Sequence, residues 1–363
     1  MAAAVFALLS DRDDVSGIYL NGMLVRQDDP RSSLVMRATR HPPTEDALGR
    51  LVARLRKRVS RKRISRGKEQ AEGIGPGDVA FDVNGYRHGE RWGIEPLKDD
   101  LDLARHVQAS GGRFIHMPKS YGPFSEMQRP LIGRLCALVD QIYARDQASF
   151  ERVAPFCDLA RVKLSPDYTC AVAPAAPPGK LSDLRDFALI IPNDKLVETG
   201  AFAGTGDYVR YLTAIADRLE ALSANPVFLF HQMRDALIYR RVLEKTGRRC
   251  LLFTDPLVSK GAIARADFVV SARYHGMVSA LTQERPGIFF GWTDKYLGFL
   301  DLFGLASEAL VGRERIAEGP DLVEAAWHRR HDPLFRTRLR EGAERIRAHQ
   351  AELWCELSSL VGS

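Results

Sequence analysis

Residues 267–290 read DFVVSARYHGMVSALTQERPGIFF. Asp267–Val270 is a short apolar strand, Met277–Leu281 opens a helix, and Gly287–Phe290 is a second apolar strand. Strand, helix and strand at this spacing make a βαβ unit, which places its strands side by side and parallel. The same rhythm runs outward. Strands are expected at Asp78–Val83, Arg113–Met117, Phe187–Ile191, Pro226–Phe230 and Cys250–Phe253, with amphipathic helices such as Asp207–Leu222 and Asp235–Lys245 between them. One stretch breaks the alternation: Ala171–Leu181 (AVAPAAPPGKL) carries three prolines and sustains neither a helix nor a central strand. It reads as a linker. Residues 1–175 then form a first α/β domain, 182–332 a second, and 333–363 a C-terminal helix, its amphipathic pattern spanning Pro333–Leu357.

With 363 residues, 45% hydrophobic and 27% charged, the chain has the balance of a globular protein and is long enough for two cores. Disordered, collagen-like and disulfide-scaffold classes are excluded. The apolar runs fall far short of the ~20 residues a membrane span needs. Met1–Ser10 lacks a basic leader and meets acids at once, so a cytoplasmic protein is expected. The five cysteines are scattered and without a CxxC, which argues against zinc and predicts small buried residues. Charge is concentrated in Arg54–Lys68, where nine Lys or Arg stand without an acid; removing them turns the net +6 into −3. That run is either a solvated segment or a contact for anionic headgroups at the inner face of a membrane. It holds no aromatic residue to stack on a base, so nucleic acid is not expected.

Chemistry is sought where strands hand over to helices. Ser271–Gly276 lies at such a junction, where unpaired backbone N–H groups favour an anion. Arg273 adds a planar fork for phosphate or carboxylate, and His275 a group that holds or moves a proton near neutral pH. The alternative for the pair is an interdomain salt bridge for Arg273 and a satisfied buried histidine for His275. Lys295, ahead of the next helix, offers a point charge. Lys119 and Ser120 precede a Gly-Pro turn, and Arg145 and Asp146 stand where a strand may end after a helix. His231 and Asp235, in FHQMRD, mark another strand end.

In order, MPKSYGPF (117–124), YARDQASFERV (143–153), SPDY (165–168) and the run from Ser259 to Leu305 resemble the polysaccharide pyruvyltransferase family. The Arg273-x-His275-Gly276 segment is the most specific part of that resemblance. It implies two Rossmann-like α/β domains with parallel sheets in a GT-B-like arrangement, the first on the acceptor side and the second on the donor side. It further implies transfer of pyruvate from phosphoenolpyruvate to a saccharide, as a ketal, in cell-surface or exopolysaccharide biosynthesis, with no cofactor or metal beyond the donor itself. Arg273, His275 and Gly276 inherit donor binding by position, and Arg145 and Lys295 match family positions too. Ser120 and His231 are added as substrate contacts, and His275 is the candidate proton carrier. Two departures fall in the first domain. The opening strand and Asn-x-Gly-Asp turn are absent, Met1–Ser10 having the pattern of the helix that would follow them. A glycine-rich turn is reduced to Asn84-Gly85 followed by Tyr86-Arg87-His88-Gly89. The competing readings are a nucleotide-sugar glycosyltransferase and a catalytically silent saccharide-binding protein on the same fold.

Overall fold

The structure is a computed structural model that describes residues 17–20, 23–26, 74–176, 186–231, 235–253, 255–291 and 293–361. The helix expected at Met1–Ser10 and the basic run Arg54–Lys68 lie outside the described residues, as does the end of the proline-rich stretch. The chain divides into two compact units, Met1–Thr169 with Gln350–Ser363, and Cys170–His349.

In the first unit, β1 (Gly17–Leu20) and β2 (Met23–Arg26) form an antiparallel ribbon. The main sheet is built from β3 (Val79–Asp82), β4 (Tyr86–His88), β5 (Arg113–Tyr121), β6 (Gln141–Ala144) and β7 (Val162–Leu164). Its order is β3-β5-β6-β7, all parallel, and β4 follows β3 along the same edge of β5. The strand expected to stop at Met117 therefore runs on to Tyr121. Pro118 lacks an N–H for the ladder, and the pairing with β6 shifts between His116 and Lys119, which accommodates it. Helices α1 (Glu95–Ala109), α2 (Arg129–Leu138) and α3 (Gln147–Val153) fill the crossovers. Leu97, Leu101, Phe114, Ile132 and Leu135 form the core on one face; Phe81, Ile115, Met117 and Tyr143 face the other way.

The second unit carries β8 (Phe187–Ile191), α4 (Lys195–Glu198), α5 (Thr205–Ala221), β9 (Asn225–Phe230), α6 (Ala236–Thr246), β10 (Cys250–Leu252), α7 (Pro256–Arg265) and β11 (Phe268–Ser271). It continues with α8 (Tyr274–Thr282), β12 (Gly287–Phe290), α9 (Asp294–Asp301), α10 (Ala306–Ala309), β13 (Leu310–Val311) and α11 (Gly319–Arg329). The six strands run parallel in the order β10-β9-β8-β11-β12-β13. Counted from β8, this is the 3-2-1-4-5-6 order of a Rossmann sheet, which reverses direction between β8 and β11. Both faces of the sheet are covered. Phe187, Leu189 and Ile191 of β8 enter one core, Ala188 and Ile190 the other, so alternate residues of one strand feed two layers.

The last helix, α12 (Pro333–Val361), is a single element. Phe335, Leu339, Ala343 and Ile346 pack into the core of the second unit, whereas Leu353 and Leu357 pack with Phe81 and Ile115 of the first. Among the cysteines only Cys136 is buried; Cys157, Cys170 and Cys250 are half-buried and Cys355 is exposed, which corrects the expectation that all five are core residues.

Candidate active site

In an open parallel sheet the two crossovers leaving the reversal point go to opposite faces, so a crevice opens beyond the carboxyl ends of the two central strands. Here those strands are β8 and β11. Beyond β8 come Pro192, Asn193 and Asp194; beyond β11 come Ala272 and Arg273. Asn193 ties the two loops together: its side-chain amide donates to the Ala272 carbonyl at 3.0 Å, and its backbone N–H donates to the Tyr208 hydroxyl at 3.0 Å.

Helix α8 begins at Tyr274, three residues earlier than the sequence pattern indicated. His275 and Gly276 therefore belong to its first turn rather than to the loop. Arg273 is the N-cap; its backbone N–H donates to Ser271 Oγ at 3.1 Å and its carbonyl accepts from the same hydroxyl at 3.0 Å. Gly276 has no room for a side chain, because a Cβ there would stand 2.3 Å from Ser271 Oγ and 3.2 Å from Ile191. A glycine at this position lets the helix start close upon the strand end.

The Arg273 guanidinium, 11% exposed, lies within a bracket of acceptors. Its Nε donates to the Pro192 carbonyl at 2.9 Å, one Nη pairs with Asp235, which is fully buried, and Asp194 stands 4.0 Å away. Arg273 does form a salt bridge, but with a residue of its own unit, which corrects the interdomain alternative. His275 is exposed, and its ring meets Tyr274 edge-on at 5.4 Å. It is not a satisfied buried histidine. Lys295 Nζ lies 5.0 Å from the centre of the Tyr274 ring and 5.7 Å from that of Tyr296, whose hydroxyl donates to the Ala272 carbonyl at 2.9 Å. One aromatic pair therefore relates Lys295 to the Arg273 loop. His231 follows β9 directly. Its Nε2 is buried with no hydrogen-bond partner among the described residues. Burial, reinforced by the positive charges of Arg273 and His275, pushes its pKa down to about 3, so the ring is neutral.

Ser120 and Arg145 come together in the first unit. Arg145, 4% exposed, donates from Nε (3.0 Å) and Nη2 (2.7 Å) to Ser120 Oγ and from Nη1 to Asp167 at 3.1 Å. Asp167 also holds Thr169 through its backbone N–H and hydroxyl. Asp146 caps α3 by accepting from the Ser149 N–H at 2.8 Å, and Ser149 Oγ accepts from the Tyr121 N–H at 3.0 Å. Three segments that look unrelated in the sequence, around Ser120, Arg145 and Asp167, are one network at the carboxyl edge of β5, β6 and β7. Arg145 and Asp146 stand at the end of β6, which itself comes after helix α2.

A second buried group was not foreseen. Asp82 pairs with fully buried Lys119, and His88 Nε2 donates to Asp100 at 2.5 Å, while Arg87 reaches Asp100 at 3.0 Å. His116 Nδ1 is 2.8 Å from the Tyr121 hydroxyl. Burial alone would raise the Asp82 carboxyl, but Lys119 and its neighbours outweigh it and hold the group below its usual range. Burial first and Lys119 second lower both His88 and His116, which stay neutral. The signal was a histidine and a lysine alternating with apolar residues in one strand, RFIHMPKSY. Asp82, His88 and Asp100 offer three ligand atoms within 4.8 Å of one another. Lys119 and Arg87 already balance the two carboxylates, so a divalent ion would add two uncompensated charges to a dry site.

The strand order and the carboxyl-edge loops of the second unit define an α/β protein of the Rossmann type, with an arginine-bearing helix start at the reversal point. The family described as polysaccharide pyruvyl transferase matches residues 38–294, well over half of the chain. The chain belongs to that family. No curated protein matches it. Among solved structures it is similar to the glycotransferase of kitacinnamycin (13% identical, covering 89% of this chain and 86% of that one, TM-score 0.46). It is also similar to CalG4, the calicheamicin glycosyltransferase (14%, 89% and 82%, 0.47), and to HepE from Anabaena in complex with UDP (11%, 78% and 79%, 0.48). No helix among the described residues is long and apolar enough to cross a membrane.

Proposed function

We propose that the chain transfers pyruvate from phosphoenolpyruvate to two hydroxyls of a saccharide, forming a ketal. The observation that carries this reading is the fixed guanidinium of Arg273 at the first turn of α8, with exposed His275 beside it, in a chain of the pyruvyl transferase family. The donor brings a phosphate and a carboxylate. Arg273 supplies a planar fork, Lys295 a point charge, and the first N–H groups of α8 partial positive charge. Cations placed against the departing phosphate stabilise the charge it gains as it leaves.

The reaction closes as follows. One proton is added to the methylene carbon, which becomes the methyl group, and a saccharide oxygen bonds to the neighbouring carbon. Phosphate then leaves with the former ester oxygen, and the second saccharide oxygen takes its place. The two hydroxyl protons end on the methyl carbon and on phosphate. His275, exposed in the first turn of α8, carries the proton to the donor. Neutral His231 meets the substrate as a hydrogen-bonding group. Gly276 keeps the helix start against β11, and Arg145 with Ser120 sets the carboxyl edge of the first unit. The saccharide belongs to a cell-surface or exopolysaccharide or its lipid-linked precursor, the protein acts in the cytoplasm, and Arg54–Lys68 touches the inner face of the membrane.

Melting the protein with phosphoenolpyruvate and, separately, with UDP-hexoses tests the reading. A ligand at 100 times its Kd stabilises by about 2.7 kcal/mol. Stabilisation by phosphoenolpyruvate is expected; stabilisation by UDP-hexoses alone supports glycosyl transfer instead, and no response to either removes the enzymatic reading.

A further inference from the structure

The first unit holds an exposed tryptophan that nothing above uses. Trp92 is 47% exposed and is the only aromatic residue among the exposed large hydrophobic side chains of the described residues. It stands in the turn Glu90–Trp92 just after β4, in the segment where a glycine-rich turn was expected.

The turn is held from both ends. Gln128, 1% exposed, donates through its amide nitrogen to the carbonyls of Gly89 (3.1 Å) and Gly93 (2.6 Å), and its oxygen accepts from the Ser125 N–H at 3.1 Å. The Glu90 N–H donates to the Pro123 carbonyl at 2.8 Å, and the Gly122 N–H donates to the His88 carbonyl at 2.8 Å, which fixes the turn to the carboxyl end of β5. Gly89 leaves little room for a side chain, with Tyr86 Oη and the Gly122 carbonyl 3.0 and 3.1 Å from where a Cβ would be. Gly93 takes a φ of 69°, which favours glycine. A buried glutamine whose amide and carbonyl are all engaged is thus committed to presenting an indole to solvent.

The surroundings suit a sugar. The Tyr86 ring meets Trp92 edge-on at 6.1 Å and 80°, and the Arg91 guanidinium carbon lies 5.3 Å from the indole centre. Glu90 and Arg91 are exposed at the rim. A pyranose has a face lined by C–H groups, which packs on an aromatic ring, and an equatorial belt of hydroxyls, which needs donors and acceptors at the side. An ordered aromatic surface loses little freedom on binding.

We propose that Trp92, flanked by Tyr86 and Arg91, is the stacking platform for a hexose ring of the acceptor. This rests on the acceptor being a saccharide. The probes are methyl β-galactoside, methyl β-glucoside and methyl α-mannoside, followed by saturation-transfer NMR on the full chain. Transfer to the C–H protons of one sugar face is expected for at least one glycoside. Trp92→Ala should weaken that contact about tenfold or abolish it, Trp92→Phe should retain most of it, and Leu159→Ala, another exposed position on this unit, should leave it unchanged. The melting shift caused by phosphoenolpyruvate should be the same in Trp92→Ala as in the parent. No transfer from any of the three glycosides, or transfer that survives Trp92→Ala undiminished, overturns the proposal. If phosphoenolpyruvate fails to stabilise the parent while a Trp92-dependent sugar contact persists, the donor reading fails and the platform stands.

Discussion

Replacing Asp235 by asparagine should weaken the protein and tighten its grip on an anion. Asp235 is fully buried and paired with Arg273, whose side chain is only 11% exposed. Removing one partner of a buried ion pair costs about 3–5 kcal/mol. Asparagine keeps an oxygen that accepts a hydrogen bond, and Asp194, 4.0 Å from the guanidinium, remains as a second carboxylate. Roughly half the cost is therefore retained, about 2 kcal/mol, which lowers the melting temperature by about 4–8 °C for a unit of this size. The other consequence runs the opposite way. The Asp235 charge faces any anion that approaches Arg273; at about 6 Å and an effective dielectric of about 20, two charges interact by about 3 kcal/mol as an upper figure. A third of that is about a fivefold gain in anion affinity. Calorimetric melting with and without phosphoenolpyruvate reads both effects. The variant should melt lower alone and rise further with the donor than the parent does. A melting temperature unchanged from the parent, or a smaller rise on adding donor, would refute this account of how Arg273 is held.

Acid should loosen the first unit in two stages. His88 and His116 sit below the ordinary value of 6.5 because burial disfavours their charged forms. The unfolded chain therefore binds more protons as pH falls through 6.5, and stability drops by up to about 1.4 kcal/mol per histidine per pH unit. Asp82, whose carboxyl is held low, contributes stability that is present above the ordinary carboxylate range and lost on further acidification. Urea midpoints across pH should fall accordingly, and His116→Gln should flatten the slope; a flat profile in the parent contradicts the neutral assignment. Ser120→Ala removes the acceptor of two Arg145 N–H groups and should cost about 1.5–3 kcal/mol in urea unfolding, with no loss refuting the network around Arg145.

Much of the second unit was legible because its strands are short, wholly apolar and separated by well-patterned helices. Phe187–Ile191 and Gly287–Phe290 are found where periodicity put them. Arg273 and His275 were legible as a strand-to-helix junction. The start of α8 was misjudged because Tyr274 and His275 carry no apolar period, their place in the helix being set by the ladder and by the close contact of Gly276 with Ser271. In the first unit β4 and β7 escaped notice and β6 was legible only by its end at Arg145: YRH, QIYA and VKL are too short and polar to stand out, and they are strands only because β5 and its neighbours pair with them. The Asp82–Lys119 pair was hidden for a similar reason, since the two lie far apart in sequence and meet only through the register of β3 on β5. Asn193 and Asp194 gave a weak signal as the polar residues right after an apolar strand.

The most direct test of the account is titration calorimetry of phosphoenolpyruvate into the parent protein and into Arg273→Lys, a change that keeps the charge but loses the planar fork. Saturable binding by the parent and at least about tenfold weaker binding by the variant is the predicted result. Equal affinity in the two proteins, or no binding by a folded parent, would contradict it.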